Sequence, residues 1–334
     1  MKFKKIKYHI LLCLMVLIFG GYVGVNLFMT SSSAEILPGP DIDNEEILPP
    51  EEEDKPSDDD YIPDTEDKEL PSDALGLINY ALDIYNNGKG FASTINGYLH
   101  AEGSVGNVST WLKENVSGVA NRNKNQSLEE MYITFQSEDM LMGILNNYKY
   151  NIQNYRAVNT DKSNDKAIFV STREFDAKNK TYDFNHHTAK KQELSYNKGM
   201  NKAIMLNSQD FYFEISKDTV EVLLFDSRSS QFYHKIRVRY DVSKIPEQYK
   251  TYYGTMMPLP TCEFTKLEFE FLINKETGKL RKISRSEELN GEFLIEGSVF
   301  DGMVIKMKAK TSFTQTFSSM DKEAKVEERY KEFP

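Results

Sequence analysis

The chain has 334 residues and a formal net charge of −10, which is distributed unevenly. Residues 1–29 hold four lysines and no acid, residues 30–73 hold seventeen Asp and Glu against Lys55 and Lys68, and the rest is almost neutral. With only Cys13 and Cys262, the composition excludes a disulfide framework and a thiolate zinc site of the CxxC kind, while about 260 residues suffice for one large or two small cores.

Ile10 to Met29 is a run of twenty uncharged residues, twelve of them Leu, Ile, Val or Phe. At about 1.5 Å rise per residue such a helix matches the hydrocarbon thickness of a bilayer. Lys2, Lys4, Lys5 and Lys7 precede it and no Lys or Arg follows until Lys55. That asymmetry predicts a single-pass cell-membrane protein with a cytoplasmic tail over 1–9, an anchor over 10–29 and the remainder extracellular. The rival reading is a cleaved signal peptide, for which Ser32-Ser33-Ala34 supplies the small residues of a cleavage site. Either way the bulk of the chain is expected outside the cytoplasm, where nucleic acid is not a partner.

Residues 30–71 carry the acid cluster together with Pro38, Pro40, Pro49, Pro50, Pro56, Pro63 and Pro71. Such a segment has too little apolar surface to offset its ordering entropy, so a disordered, self-repelling linker is expected. Asp58-Asp59-Asp60 lacks the spaced ligands and the glycine of a calcium loop.

An extracytoplasmic domain is expected over 72–334. Ser72 is a competent N-cap, and Leu75, Ile78, Leu82 and Tyr85 recur at helical spacing until Gly88 and Gly90. The period then changes to two, which predicts strands over Phe91–Glu102, Thr110–Arg122 and Leu128–Ser137. Met140, Leu141, Ile144, Leu145 and Tyr148 return to helical spacing, so a short helix is expected within Glu138–Ser163. Residues 174–200 are polar and read as a long loop. In Phe232–Val242 the even positions, including His234, are predominantly apolar, and the odd ones include Lys235, Arg237 and Arg239, which is a strand with one dry face. Pro246 opens a helix bearing Tyr249, Tyr252, Tyr253 and Met256. Leu267–Ile273 and Leu280–Ser286 flank a turn at Asn274–Gly278, and Met303–Phe317 closes the pattern with a further alternating strand. The expected fold class is α+β, with a curved, half-barrel-like antiparallel sheet and helices packed on one face.

FEFLINKETGKLRKISRSEEL followed by MVIKMKAKTSFTQTF resembles the closing strands of membrane-anchored exported proteins of low-GC Gram-positive bacteria. The wider plan of capped helix, strands, helical insertion and C-terminal hairpins is similar to the LolA-like lipoprotein-carrier superfamily. That resemblance implies a half-barrel cupping helices and, in some members, a lipid.

Candidate chemistry is sparse. Ser195 and Lys198 fit S-x-x-K, but the same pattern recurs at Ser163/Lys166 and Ser319/Lys322, and no Lys-Thr-Gly follows. His186-His187 lacks an HExxH or H-x-H companion, His234 lies on an apolar strand face as a hydrogen-bonded core residue, and Cys262 has no evident base. No catalytic, cofactor-binding or metal-binding residue is therefore assigned, and no cofactor is expected. Lys235/Arg237/Arg239 and Lys306/Lys308/Lys310 form two basic strand faces, read as solvated and paired with Glu268 and Glu270. Phe211, Phe213, Tyr240, Tyr249, Tyr252, Tyr253, Phe269 and Phe271 either line an apolar cup or fill a core, and a core is the reading adopted. The functional expectation is a membrane-tethered, non-catalytic binding domain, with a lipid, an envelope polymer or an envelope protein as partner. The alternative is a cell-envelope hydrolase with an unrecognised active site.

Overall fold

The computed structural model describes residues 69–105, 108–139, 149–173, 190–198, 207–228, 230–247, 249–250, 261–294 and 304–332. The segments expected as cytoplasmic tail and anchor, and nearly all of the acidic segment expected as linker, fall outside the described residues. No helix among the described residues is long and apolar enough to cross a membrane.

The described chain opens with α1 (Ala74–Asn87), whose first turn is capped by Asp73 accepting from the Gly76 amide at 2.9 Å. Ser72 and Asp73 are both good caps, and Asp73 takes the role. Ala74, Leu77, Ile78, Ala81, Leu82 and Tyr85 form its buried stripe. Transfer of Leu77, Ile78 and Leu82 from water stabilises the helix's docking by about 2 kcal/mol each.

Eleven strands follow: β1 (Gly90–Val105), β2 (Val108–Asn123), β3 (Gln126–Asp139), β4 (Lys149–Asp161), β5 (Lys166–Arg173), β6 (Lys190–Leu194), β7 (Val220–Asp226), β8 (Tyr233–Tyr240), β9 (Thr261–Asn274), β10 (Leu280–Leu294) and β11 (Val304–Met320). They form one antiparallel sheet in the order β6-β5-β4-β3-β2-β1-β11-β10-β9-β8-β7. Two meanders, β1–β6 and β7–β11, are thus joined by pairing of the first strand with the last, from Phe91↔Met320 to Ser104↔Lys306.

This overturns the α+β expectation. Among the described residues one 14-residue α-helix packs against a sheet of eleven strands, so the architecture is predominantly β. Part of the expected helical insertion, Lys149–Asp161, is strand β4, hydrogen-bonded to β3 on one side and β5 on the other. Pairing on both edges outweighs local preference. Met140–Tyr148, which carried the helical spacing, lies outside the described residues. Lys190–Leu194, expected as loop, is strand β6; its KKQEL sequence carries no apolar period because an edge strand needs none. At Pro246 helical hydrogen bonds do begin, with the Lys250 amide donating to the Pro246 carbonyl at 3.2 Å.

The sheet buries both of its faces, in different places. In the core on the α1 face lie Phe91, Ile95 and Leu99 of β1, Ile236 and Val238 of β8, and Leu267, Phe269, Phe271 and Ile273 of β9. On the opposite face, Leu128, Tyr155, Ala157, Ile168 and Val170 are covered by Val326 and Tyr330 of the C-terminal segment. That segment is anchored by Asn159 donating to the Glu327 carbonyl at 2.8 Å and by Arg329 against the buried Glu130 at 3.0 Å. Burial on both sides explains why β5 reads as the unbroken run Ala-Ile-Phe-Val.

Candidate binding groove

The strand register stacks polar side chains in rows across β7–β11 on the face away from α1. One row runs Leu224, Arg237, Glu270, Ser284 and Thr314, and the next Val222, Arg239, Glu268, Ser286 and Ser312. All of these but Thr314 line a groove of about 430 Å³. Arg237 Nε donates to Glu270 at 2.7 Å, Arg239 Nε and Nη2 donate to Glu268 at 3.0 and 2.9 Å, and Lys235 and Lys266 add second ammonium partners at 3.3 and 2.9 Å. Burial alone would raise the Glu268 and Glu270 carboxyls, but these cationic partners outweigh it and hold both below the ordinary glutamate range. The Glu270 carboxylate in turn raises Arg237. The groove is therefore lined by neutralised ion pairs, with three serine hydroxyls as neutral hydrogen-bonding groups. Leu224 is 57% exposed and Val222 39% exposed, which gives the groove an apolar rim along β7.

The face against α1 has little such space. Phe211 and Phe213 pack on Phe269 with ring centroids 5.4 and 5.0 Å apart, and Phe213 meets Tyr240 and Tyr249 at 5.5 and 4.8 Å. The aromatic set fills a core as expected, with Tyr252 and Tyr253 outside the described residues. What remains is a cavity of about 50 Å³ beside Tyr85, Phe211, Arg285 and Gln315, room for little more than a water molecule.

The segment that closes this face, 207–213, is held by polar side chains. Tyr85 Oη and Gln315 Nε2 donate to the Asn207 carbonyl at 2.7 and 3.0 Å, and Gln209 donates to Ser127 Oγ at 2.8 Å. Arg122 lies over the Tyr85 and Phe91 rings, 5.2 and 4.9 Å from their centroids, and donates to Asp210 at 2.8 Å and to the Tyr85 carbonyl. Glu129 Oε2 accepts the Asn207 and Ser208 amides. Burial pushes the Glu129 carboxyl up to about 7, against the opposing pull of Arg156 and those two amides.

Two further glutamates sit inside. Glu287 is fully buried and satisfied: Tyr249 Oη donates to it, Thr311 Oγ1 donates at 2.8 Å and Arg285 lies 3.2 Å away. Glu114 is equally buried, yet neither of its oxygens has a hydrogen-bond partner among the described residues. Burial raises its pKa to about 8, so it is a neutral acid at pH 7.

The sequence candidates are dispersed by the fold. Ser195 follows β6 with Lys198 exposed, and His186-His187 lies outside the described residues. The expectation of a hydrogen-bonded core histidine fails for His234, which is half-buried beside the Phe225 ring at 5.3 Å with no partner for Nδ1 among the described residues. Burial, then Lys275, lowers its pKa. Cys262 is in β9 by its backbone, and its side chain is outside the described set. Among the described residues no group of three His, Cys, Asp or Glu converges to hold a metal ion. Sequence reasoning missed β7, the serines of β10 and the buried carboxyls. The signal for Glu114 was present, since it falls in phase with Leu112, Val116 and Ala120 on the apolar parity of β2.

Among the described residues one antiparallel sheet, packed on its α1 face and, on the other, covered across β3–β5 and grooved across β7–β11, defines the class as a β-sheet scaffold. No family model and no curated protein matches the chain. Among solved structures it is similar to a β-barrel-like protein of a domain of unknown function from Brucella abortus, at 8% identity and a TM-score of 0.26, covering 69% of this chain and 99% of that one. It is also similar to a BenF-like porin from Pseudomonas fluorescens Pf-5, at 8% identity and a TM-score of 0.14, covering 68% of this chain and 59% of that one.

Proposed function

We propose that this chain is a membrane-tethered, extracytoplasmic and non-catalytic binding domain, whose ligand is a hydroxyl- and charge-bearing envelope polymer lying along the groove of β7–β11. The groove itself carries the proposal: about 430 Å³ lined by two guanidinium groups, two carboxylates and three serines. Paired charges and hydroxyls at strand spacing suit an extended polar chain better than an acyl chain. The likeness in layout to LolA-like carriers would place a lipid on the cupped face, but that face is filled by aromatic rings and leaves only about 50 Å³. The tether and the linker enter from composition: twenty uncharged residues behind four lysines, then a self-repelling acidic spacer that holds the domain away from an anionic membrane.

Co-sedimentation of the full-length chain with purified Gram-positive wall fragments, with and without their teichoic acid, tests this reading. Retention that weakens about tenfold in the Arg237→Ala/Arg239→Ala double variant is expected, a loss of about 1.4 kcal/mol. Equal retention of the double variant, or preference for phosphatidylglycerol vesicles over wall, would overturn it.

A further inference from the structure

The two edges of the sheet are built differently. The edge at β6 carries Lys190, Lys191 and Glu193, with Lys166 of the neighbouring strand 3.2 Å from Glu193, so strand addition there would bury charge. The edge at β7 reads Val-Glu-Val-Leu-Leu-Phe-Asp, with no lysine or proline. Val222, Leu224 and Phe225 are 39%, 57% and 43% exposed, and Phe232, where the chain enters β8, is 41% exposed. Among the described residues β7 hydrogen-bonds to β8 alone. Among the described residues, about half of its seven positions therefore turn backbone donors and acceptors away from β8, flanked by apolar side chains, and the register with β8 shifts between Val220 and Val222.

The geometry points to a second copy of this chain as the occupant of that edge, paired antiparallel β7 to β7 about a two-fold axis perpendicular to the sheet. Such an axis keeps corresponding faces together, so within the regular stretch Val222–Asp226 only registers that oppose residues of the same face are allowed. With Leu223 on the axis, Val222 of each copy lies opposite Leu224 of the other, on the groove face. The two most exposed aliphatics at the groove rim then cover each other twice, and no like charges stand opposite within the strand. Moving the axis to Leu224 opposes Val222 to Asp226, and moving it to Val222 brings Asp218 towards Asp226. Of these three registers, only the one centred on Leu223 is free of both faults. Antiparallel pairing also sets the end of the strand carrying Arg228 beside the other copy's strand start carrying Asp218, an attractive arrangement of two exposed charges. The result is one continuous twenty-two-stranded sheet, with a groove on either side of the axis.

This inference holds whatever the groove binds, and its test is separate. In a Cys13→Ser/Cys262→Ser background, Val222→Cys and Leu224→Cys variants of the full-length chain are mixed in detergent and oxidised. A disulfide-linked dimer is expected at least about tenfold more strongly from the mixture than from either variant alone. Sedimentation velocity of the full-length chain should show a dimer that Leu224→Lys converts to monomer while circular dichroism stays unchanged. A wild-type monomer at every concentration overturns the inference. So does a dimer that tolerates Leu224→Lys and gives no cross-link, because the N-terminal apolar segment would then be holding it. Loss of wall retention in the Arg237/Arg239 variant with the dimer intact bears on the groove alone.

Discussion

Replacing Glu114 with Gln should remove a specific part of this protein's pH dependence. The Glu114 carboxyl has a folded-state pKa of about 8 against an ordinary value of 4.5. The folded chain therefore keeps a proton that the unfolded chain releases, so stability falls as pH rises from about 4.5 and levels off above about 8. The slope for one such group is about 1.4 kcal/mol per pH unit, and the whole contribution is on the order of 5 kcal/mol. Glu129, with a folded-state value of about 7, acts with the same sign but is exhausted sooner. Among the described groups, the slope between pH 7 and 8 accordingly belongs to Glu114. Urea denaturation from pH 5 to 9 should show wild type and Glu114→Gln within about 1 kcal/mol of each other at the acid end, because a neutral acid and an amide lose similar solvation there. Above pH 8 the variant should be the more stable by several kcal/mol. If the two midpoint-against-pH curves run parallel between pH 7 and 8, Glu114 is not a buried neutral acid, and the reasoning fails.

Two further outcomes test the packing. Ending the chain after Met320 removes the cover from Leu128, Tyr155, Ala157, Ile168 and Val170; thermal denaturation should show a midpoint lowered by about 10 °C, with increased binding of an apolar dye, and an unchanged midpoint would show the C-terminal segment to be dispensable. Arg122→Ala should cost about 3 kcal/mol in urea denaturation, since the guanidinium sits on two rings and holds Tyr85 and Asp210. Arg122→Lys should recover less than half of that, because an ammonium cannot serve the rings and both acceptors at once.

The structure also separates two roles for charge in one sheet. Arg237, Arg239, Glu268 and Glu270 pair across neighbouring strands at the surface, where solvent screening leaves each pair worth at most about 1 kcal/mol. Their use is geometric: they hold guanidinium and carboxylate groups in rows along the groove. Glu114 has no such partner among the described residues and contributes through its protonation state instead.

What the sequence by itself determined is the part of the fold that local chemistry settles. Strands β1–β3 and β8–β11 were read from period-two alternation, and a capped apolar stripe announces α1, so these elements were legible along with the aromatic core. The Arg and Glu rows were legible too, because cross-strand pairing needs only matching parity. Elements whose pattern depends on neighbours were not. Strand β5 loses its alternation because α1's face and the C-terminal segment's face both bury it, and β6 is polar because it ends the sheet. Strand β4 is strand because β3 and β5 flank it. The groove belongs to the same class, since it requires β7, β8, β9, β10 and β11 side by side. Only the tertiary structure decided the pairing of β1 with β11, residues more than two hundred positions apart, for which no local energy term favours one partner over another. That single pairing joins the two meanders and, through the edges it leaves at β6 and β7, sets where a second strand can be added.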